Sequence, residues 1–175
     1  MWGTINTTGG SLENKMKIFN NDTKFNTGRF EPVRLSEIVP RINDYLRDID
    51  EYTIDIGTDS QKHSTTRFVS VVAVHRIGKG GIFFYHPTIT EKPHTFRDRI
   101  YLETSMSIEL ATCLLDMFLD RDLLYNITIH CDIGEGGKTK ELISEIVGYC
   151  TAYGFPCKIK PNAHAAQCIA DKFSK

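Results

Sequence analysis

The sequence predicts an α/β fold, a mixed five-stranded sheet flanked by helices. Three observations carry that prediction. Short β-branched runs come first and helical patterns later. The first three runs are joined by tight connections, so they form an antiparallel meander. The later strands are each separated by a helix, which requires parallel crossovers. At 175 residues the chain has the length of about one domain. Such a domain supports a core without disulfides or a structural metal.

The elements follow in order. Half of residues 1–30, fifteen positions, are Asn, Thr, Gly or Ser, so this stretch is expected to be a polar tail outside a single domain spanning 31–175. Residues 35–47 place Leu35, Ile38, Ile42, Tyr45 and Leu46 at helical spacing, giving a short accessory helix with Pro40 in its early turns. The first strand is read at 52–58, the second at 67–77 and the third at 81–89, with the turn residues Gly78-Lys-Gly-Gly81 closing a hairpin. A long helix is expected over 97–120, a fourth strand over 126–131 and a helix over 138–153 stopped by Gly154 and Pro156. A short strand over 157–160 and a closing helix over 163–174 complete the chain.

Composition excludes several classes. Hydrophobic residues make up 41% and charged residues 25%, a globular mixture rather than a disordered or fibrous one. The net charge of −1 offers no global basic surplus, so any nucleic-acid binding must rest on a local patch. No apolar run approaches the roughly 18 residues of a membrane span, and the N-terminus lacks the apolar centre of a signal peptide. Five cysteines, an odd number with no CxxC pair, argue against a disulfide framework or a zinc knuckle. They read as small buried thiols in a reducing compartment, so a cytoplasmic location is expected.

Acidic residues at strand ends are the informative feature. Asp59 closes the first predicted strand in Ile56-Gly-Thr-Asp-Ser-Gln61, and Asp132 closes the fourth in Ile129-His-Cys-Asp-Ile-Gly134. If these strands are parallel neighbours, about 4.8 Å apart, their carboxylates converge at the edge where open sheets bind ligands. Like charges that close repel unless a divalent cation lies between them. The long helix adds a third acid. At about 100° per residue, with Leu110 at zero, Leu114, Met117, Phe118 and Ala111 form the sheet-facing stripe, and Glu103 falls about 20° from its centre. A glutamate there is costly unless compensated. Glu109 falls about 100° away at the stripe edge and is the weaker candidate. Asp171 on the closing helix reads alone as a surface acid. Asp55 shares the strand face of Asp59 but lies further from the strand end.

Together these residues resemble a known layout. Ile56-Gly-Thr-Asp-Ser-Gln61, Glu103-Thr-Ser-Met-Ser, His130-Cys-Asp-Ile-Gly134, Lys138-Thr-Lys140 and Ile159-Lys-Pro161 are similar to motifs of the YkuK family, bacterial proteins predicted to be ribonuclease-H-like nucleases. The resemblance covers about residues 31–175. It implies strand order 3-2-1-4-5 with strand 2 antiparallel, and a cluster of Asp59, Glu103, Asp132 and Asp171 acting as catalytic ligands of two divalent ions. Mg²⁺ suits such hard oxygen ligands and Mn²⁺ substitutes for it. One ion would activate water and the other steady the leaving oxygen.

Other signals are weaker. Gly134-Glu-Gly-Gly-Lys-Thr139 fails as a phosphate loop, because Asp132 stands where the first glycine is required. It reads as a strand-to-helix turn from which Lys138 could touch nucleic-acid backbone. Gln61 follows the first aspartate closely enough to touch substrate. The six histidines show no zinc spacing; His130, two residues before Asp132, shares its face. The expected activity is metal-dependent hydrolysis of phosphodiester bonds in RNA or DNA. Its alternatives are a nucleic-acid-binding or scaffold module of the same fold without turnover, and a hydrolase or transferase acting on a small phosphorylated metabolite.

Overall fold

The computed structural model describes residues 17–28, 31–47, 51–62, 64–90, 95–119, 126–163 and 169. Its elements are β1 (Lys24–Thr27), β2 (Val33–Arg34), α1 (Leu35–Tyr45), β3 (Tyr52–Lys62), β4 (Thr66–Arg76), β5 (Gly80–Thr90), α2 (Phe96–Leu119), β6 (Ile127–His130), α3 (Ile143–Ala152) and β7 (Cys157–Lys158). A 3-10 turn over Gly137–Leu142 leads into α3. The predicted closing helix over 163–174, with Asp171 and His164, falls almost wholly outside the described residues.

The strands form one mixed sheet of seven, in the order β2-β1-β5-β4-β3-β6-β7. Its central five, β5-β4-β3-β6-β7, reproduce the expected 3-2-1-4-5 arrangement. β3 and β5 both run antiparallel to β4, while β6 is parallel to β3 and β7 parallel to β6. The β4–β5 hairpin turns through Gly78 and Gly80, whose φ values of 70° and 89° suit residues without a Cβ.

The two additional strands correct the boundary of the N-terminal tail. Residues 24–27 pair antiparallel with β5 and also with β2, so they belong to the sheet. Phe19 and Phe25, 1% and 0% exposed, are anchored in the main core beside α1. The Asn- and Thr-rich composition masked these two aromatic anchors, because averaging over thirty residues hides single large side chains.

The α2 helix lies across β3 and β6, with Leu110, Ala111, Leu114 and Phe118 buried as its periodicity predicts. Alternation along β3 divides its side chains between two faces. Ile54, Ile56, Thr58 and Ser60 meet α2, and Ser107 of α2 donates a hydrogen bond to Thr58 at 3.0 Å. Asp55 and Asp59 share the other face with their directly paired residues Ala73 and Val69. There Val69, Val71 and Ala73 form a smaller core against which Ile169 packs.

Candidate functional site

The β3–β6 register sets the geometry of the site. Its last pair is Gly57 with His130. Asp59 and Asp132 each stand two residues beyond that pair. β6 stops at His130 while β3 runs on to Lys62, so Asp59 does not end its own strand; the end of β6 creates the opening. Around it lies a cleft of about 840 Å³ lined by Asp59, Ser60, Phe96, Arg99, Glu103 and Asp132, among others.

Glu103 reaches this cleft from α2 and is 8% exposed. Ser60 Oγ donates to its Oε1 at 2.6 Å. Burial is the main cause that pushes the Glu103 pKa up to about 8. The Ser60 hydrogen bond opposes that rise, the Asp59 charge adds to it, Arg99 opposes it and Asp132 adds to it. Both aspartates are therefore close enough to disfavour the Glu103 anion. Asp59, Glu103 and Asp132 all line this cleft, and the buried Glu103 carboxyl is disfavoured as an unpaired anion, but among the described residues their carboxylate oxygens do not all lie within 4.8 Å of one another. The donor set fits Mg²⁺ or Mn²⁺.

Two cationic side chains border the acids. Lys160 Nζ lies 2.5 Å from Asp132 Oδ1, so an ammonium already balances one carboxylate. Arg99 Nη1 donates long hydrogen bonds to Ser60 O at 3.5 Å and to Ser60 Oγ at 3.4 Å. The Arg99 guanidinium also stands 5.9 Å from the centre of the Phe96 ring, and Phe96 is 39% exposed. Sequence reading gave none of Phe96, Arg99 or Lys160 a role. Arg99 lies one helical turn before Glu103, which was the available signal; Lys160 comes from a separate loop and only tertiary structure brings it in.

Glu109 has a different task. Its Oε1 accepts the backbone N–H groups of Ile18 at 2.6 Å and Phe19 at 2.9 Å, tying the N-terminal segment to α2. Glu109→Ala should therefore cost about 1–3 kcal/mol of stability by leaving those N–H groups unpaired. It should leave Mn²⁺ affinity unchanged. Denaturant unfolding and calorimetric titration check the two halves of this prediction.

Of the remaining candidates, Asp55 is engaged by His130, whose Nε2 lies 3.1 Å from Asp55 Oδ1, both side chains buried. Burial works to raise the Asp55 pKa, but the His130 contact and the Thr53 hydroxyl outweigh it and leave it lowered. Gln61 and Lys138, the predicted substrate contacts, are not among the residues lining the cleft. Lys138 is exposed on the 3-10 turn, and Thr139 beside it faces inward: its hydroxyl accepts from Gly134 N at 3.1 Å and closes the loop. Asp171 lies outside the described residues.

The sequence profile described as "Ribonuclease H-like" matches residues 37–175. The chain belongs to the ribonuclease-H-like family. It is also 39% identical over 138 residues to "Uncharacterized protein YkuK" of Bacillus subtilis (strain 168), covering 71% of this chain and 80% of that protein. No solved structure matches it. The ribonuclease-H-like match begins at Glu37, after β1 and β2, which lie at the β5 edge of this sheet. Among the described residues, no helix is long and apolar enough to cross a membrane.

Proposed function

We propose that this ribonuclease-H-like protein hydrolyses phosphodiester bonds of RNA or DNA with divalent metal ions held by Asp59, Glu103 and Asp132. The observation that carries the reading is that these three acids line one cleft, with the most buried of them destabilised as an anion by burial and by the other two. Asp171 is proposed as a fourth ligand from the family resemblance alone. Bound ions would polarise the phosphoryl oxygen and supply a hydroxide nucleophile.

The chain's own residues supply the rest. Ser60 fixes the Glu103 carboxyl by its hydrogen bond. Arg99 offers a guanidinium at the cleft wall for a backbone phosphate, and the exposed Phe96 ring beside it offers a face on which a base can stack. Lys160 holds Asp132 and competes with a metal ion for it. The Lys160 side chain is 58% exposed, so this competition is weak, at most about 1 kcal/mol. Lys160→Gln should tighten Mn²⁺ binding by up to about fivefold in calorimetry.

The direct test incubates the full chain with end-labelled single-stranded RNA, single-stranded DNA, their duplexes and a hybrid, in Mg²⁺, Mn²⁺ or chelator. Cleavage of at least one substrate that chelator abolishes is the expected result. Metal-dependent binding without cleavage would favour the scaffold reading. Turnover of small phosphate esters with little salt dependence would favour the metabolite reading, because nucleic-acid affinity falls steeply with salt.

A further inference from the structure

Away from the carboxylates, three cysteines from three separate elements meet on the face of the sheet that α3 covers. Cys131 follows β6, Cys150 sits in α3 and Cys157 begins β7. Their sulfur atoms all lie within 4.8 Å of one another. Cys131 and Cys150 are buried, and Cys157 is half-buried, so the cluster has one accessible side. Without a CxxC pair, sequence spacing gives no hint of it; parallel pairing of β6 with β7 and the packing of α3 create it.

We propose that Cys131, Cys150 and Cys157 form a three-thiolate site for a thiophilic divalent cation of the Zn²⁺ class, with water in the fourth tetrahedral position. Distances support this reading. Two thiolates on one tetrahedral Zn²⁺, each about 2.3 Å from the ion, stand about 3.8 Å apart. The Cys131 and Cys157 sulfurs are 3.7 Å apart. A disulfide between Cys131 and Cys157 does not fit the backbone. Cys157 pairs with Ile129, and Cys131 lies two residues further along, with its N–H bonded to Lys158 O at 2.9 Å. Two strand residues combined with the spacing between strands put the Cys131 and Cys157 Cα atoms about 8 Å apart. A disulfide tolerates no more than roughly 7 Å.

Binding displaces the thiol protons to solvent and fastens β6, β7 and α3 to one ion. Asp132 is the next residue after Cys131, so the ion would brace the strand end that carries a candidate carboxylate.

The test uses the reduced full chain, prepared free of metal, and Co²⁺ as a spectroscopic probe. One equivalent should produce near-ultraviolet sulfur-to-cobalt charge-transfer bands that Zn²⁺ abolishes by displacement. Cys157→Ser, at the most accessible of the three sites, should lose the bands and weaken Zn²⁺ binding by more than about 100-fold, beyond what loss of an outer-shell partner costs. Cys113→Ser and Asp132→Asn should keep the bands, which separates this site from the carboxylate cleft. In the unsubstituted chain, bound Zn²⁺ should slow alkylation of Cys157 at least tenfold, a readout that requires no variant to fold. Absence of the bands, their survival in Cys157→Ser or unprotected alkylation would each overturn the proposal.

Discussion

Asp132→Asn and Asp59→Asn should each reduce metal-dependent cleavage by at least about 1,000-fold, equivalent to about 4 kcal/mol of transition-state stabilisation. Each substitution keeps the size of the side chain but replaces an anionic oxygen with a neutral amide, so a divalent ion held by these aspartates would lose one of its anionic donors. The two variants should behave alike, because both residues lie two positions past the last Gly57–His130 pair and line the same cleft. Asp132→Asn also releases Lys160, an exposed pair whose loss costs at most about 1 kcal/mol, so the fold should persist. Initial rates over a Mn²⁺ titration, with circular dichroism as the folding control, measure the effect. Activity retained in either variant would remove that residue from the reaction.

What the sequence revealed follows from the range of the interactions involved. The antiparallel meander and the parallel crossovers of the central sheet were legible because hairpin spacing and helical segments are local signals that topology rules convert into pairings, whereas the strand order came from the family resemblance. Glu103 was legible because helical phase is rigid: seven residues from Leu110 returns almost to the same face, and both residues are buried. The same rule set Glu109 apart, though not its partners, since the N-H groups of Ile18 and Phe19 lie some ninety residues away in the chain. Strand ends were less legible. β3 continues three residues past Asp59 because β4 pairs with it as far as Lys62, a long-range cause that no window around Asp59 reveals. Alternation predicted that His130 shares the face of Asp132, and the structure pairs its buried ring with Asp55. Lys160 and the three thiols share one reason for being missed: each depends on loops and strands that meet only once β6 and β7 have paired.

Glu103→Gln should stabilise the metal-free protein at neutral pH while disabling it. The Glu103 pKa rises from 4.5 to about 8 in the folded chain, first because the side chain is buried. The sign of the linkage follows. Below the unfolded value of 4.5 both states hold the proton, and the group's contribution to stability is fully present. As pH rises toward about 8, the unfolded chain releases the proton while the folded one must retain it, so stability is lost across that window. The full difference amounts to on the order of 5 kcal/mol, and a neutral glutamine, which still accepts the Ser60 hydrogen bond, avoids it. Denaturant unfolding in chelator should therefore show the two proteins nearly equal at pH 4.5 and the variant ahead by a growing margin up to pH 8. Metal reverses the order. A divalent ion needs the ionised carboxylate, so below about pH 8 its binding to the wild type expels the proton, and affinity should rise up to tenfold per pH unit. The variant should bind Mn²⁺ weakly, with little dependence on pH. Calorimetry in buffers of different ionisation enthalpy counts the released proton directly. A wild type that is stable independently of pH and binds metal without releasing a proton would show that Glu103 is already ionised, and that the cleft holds its charge by some other means.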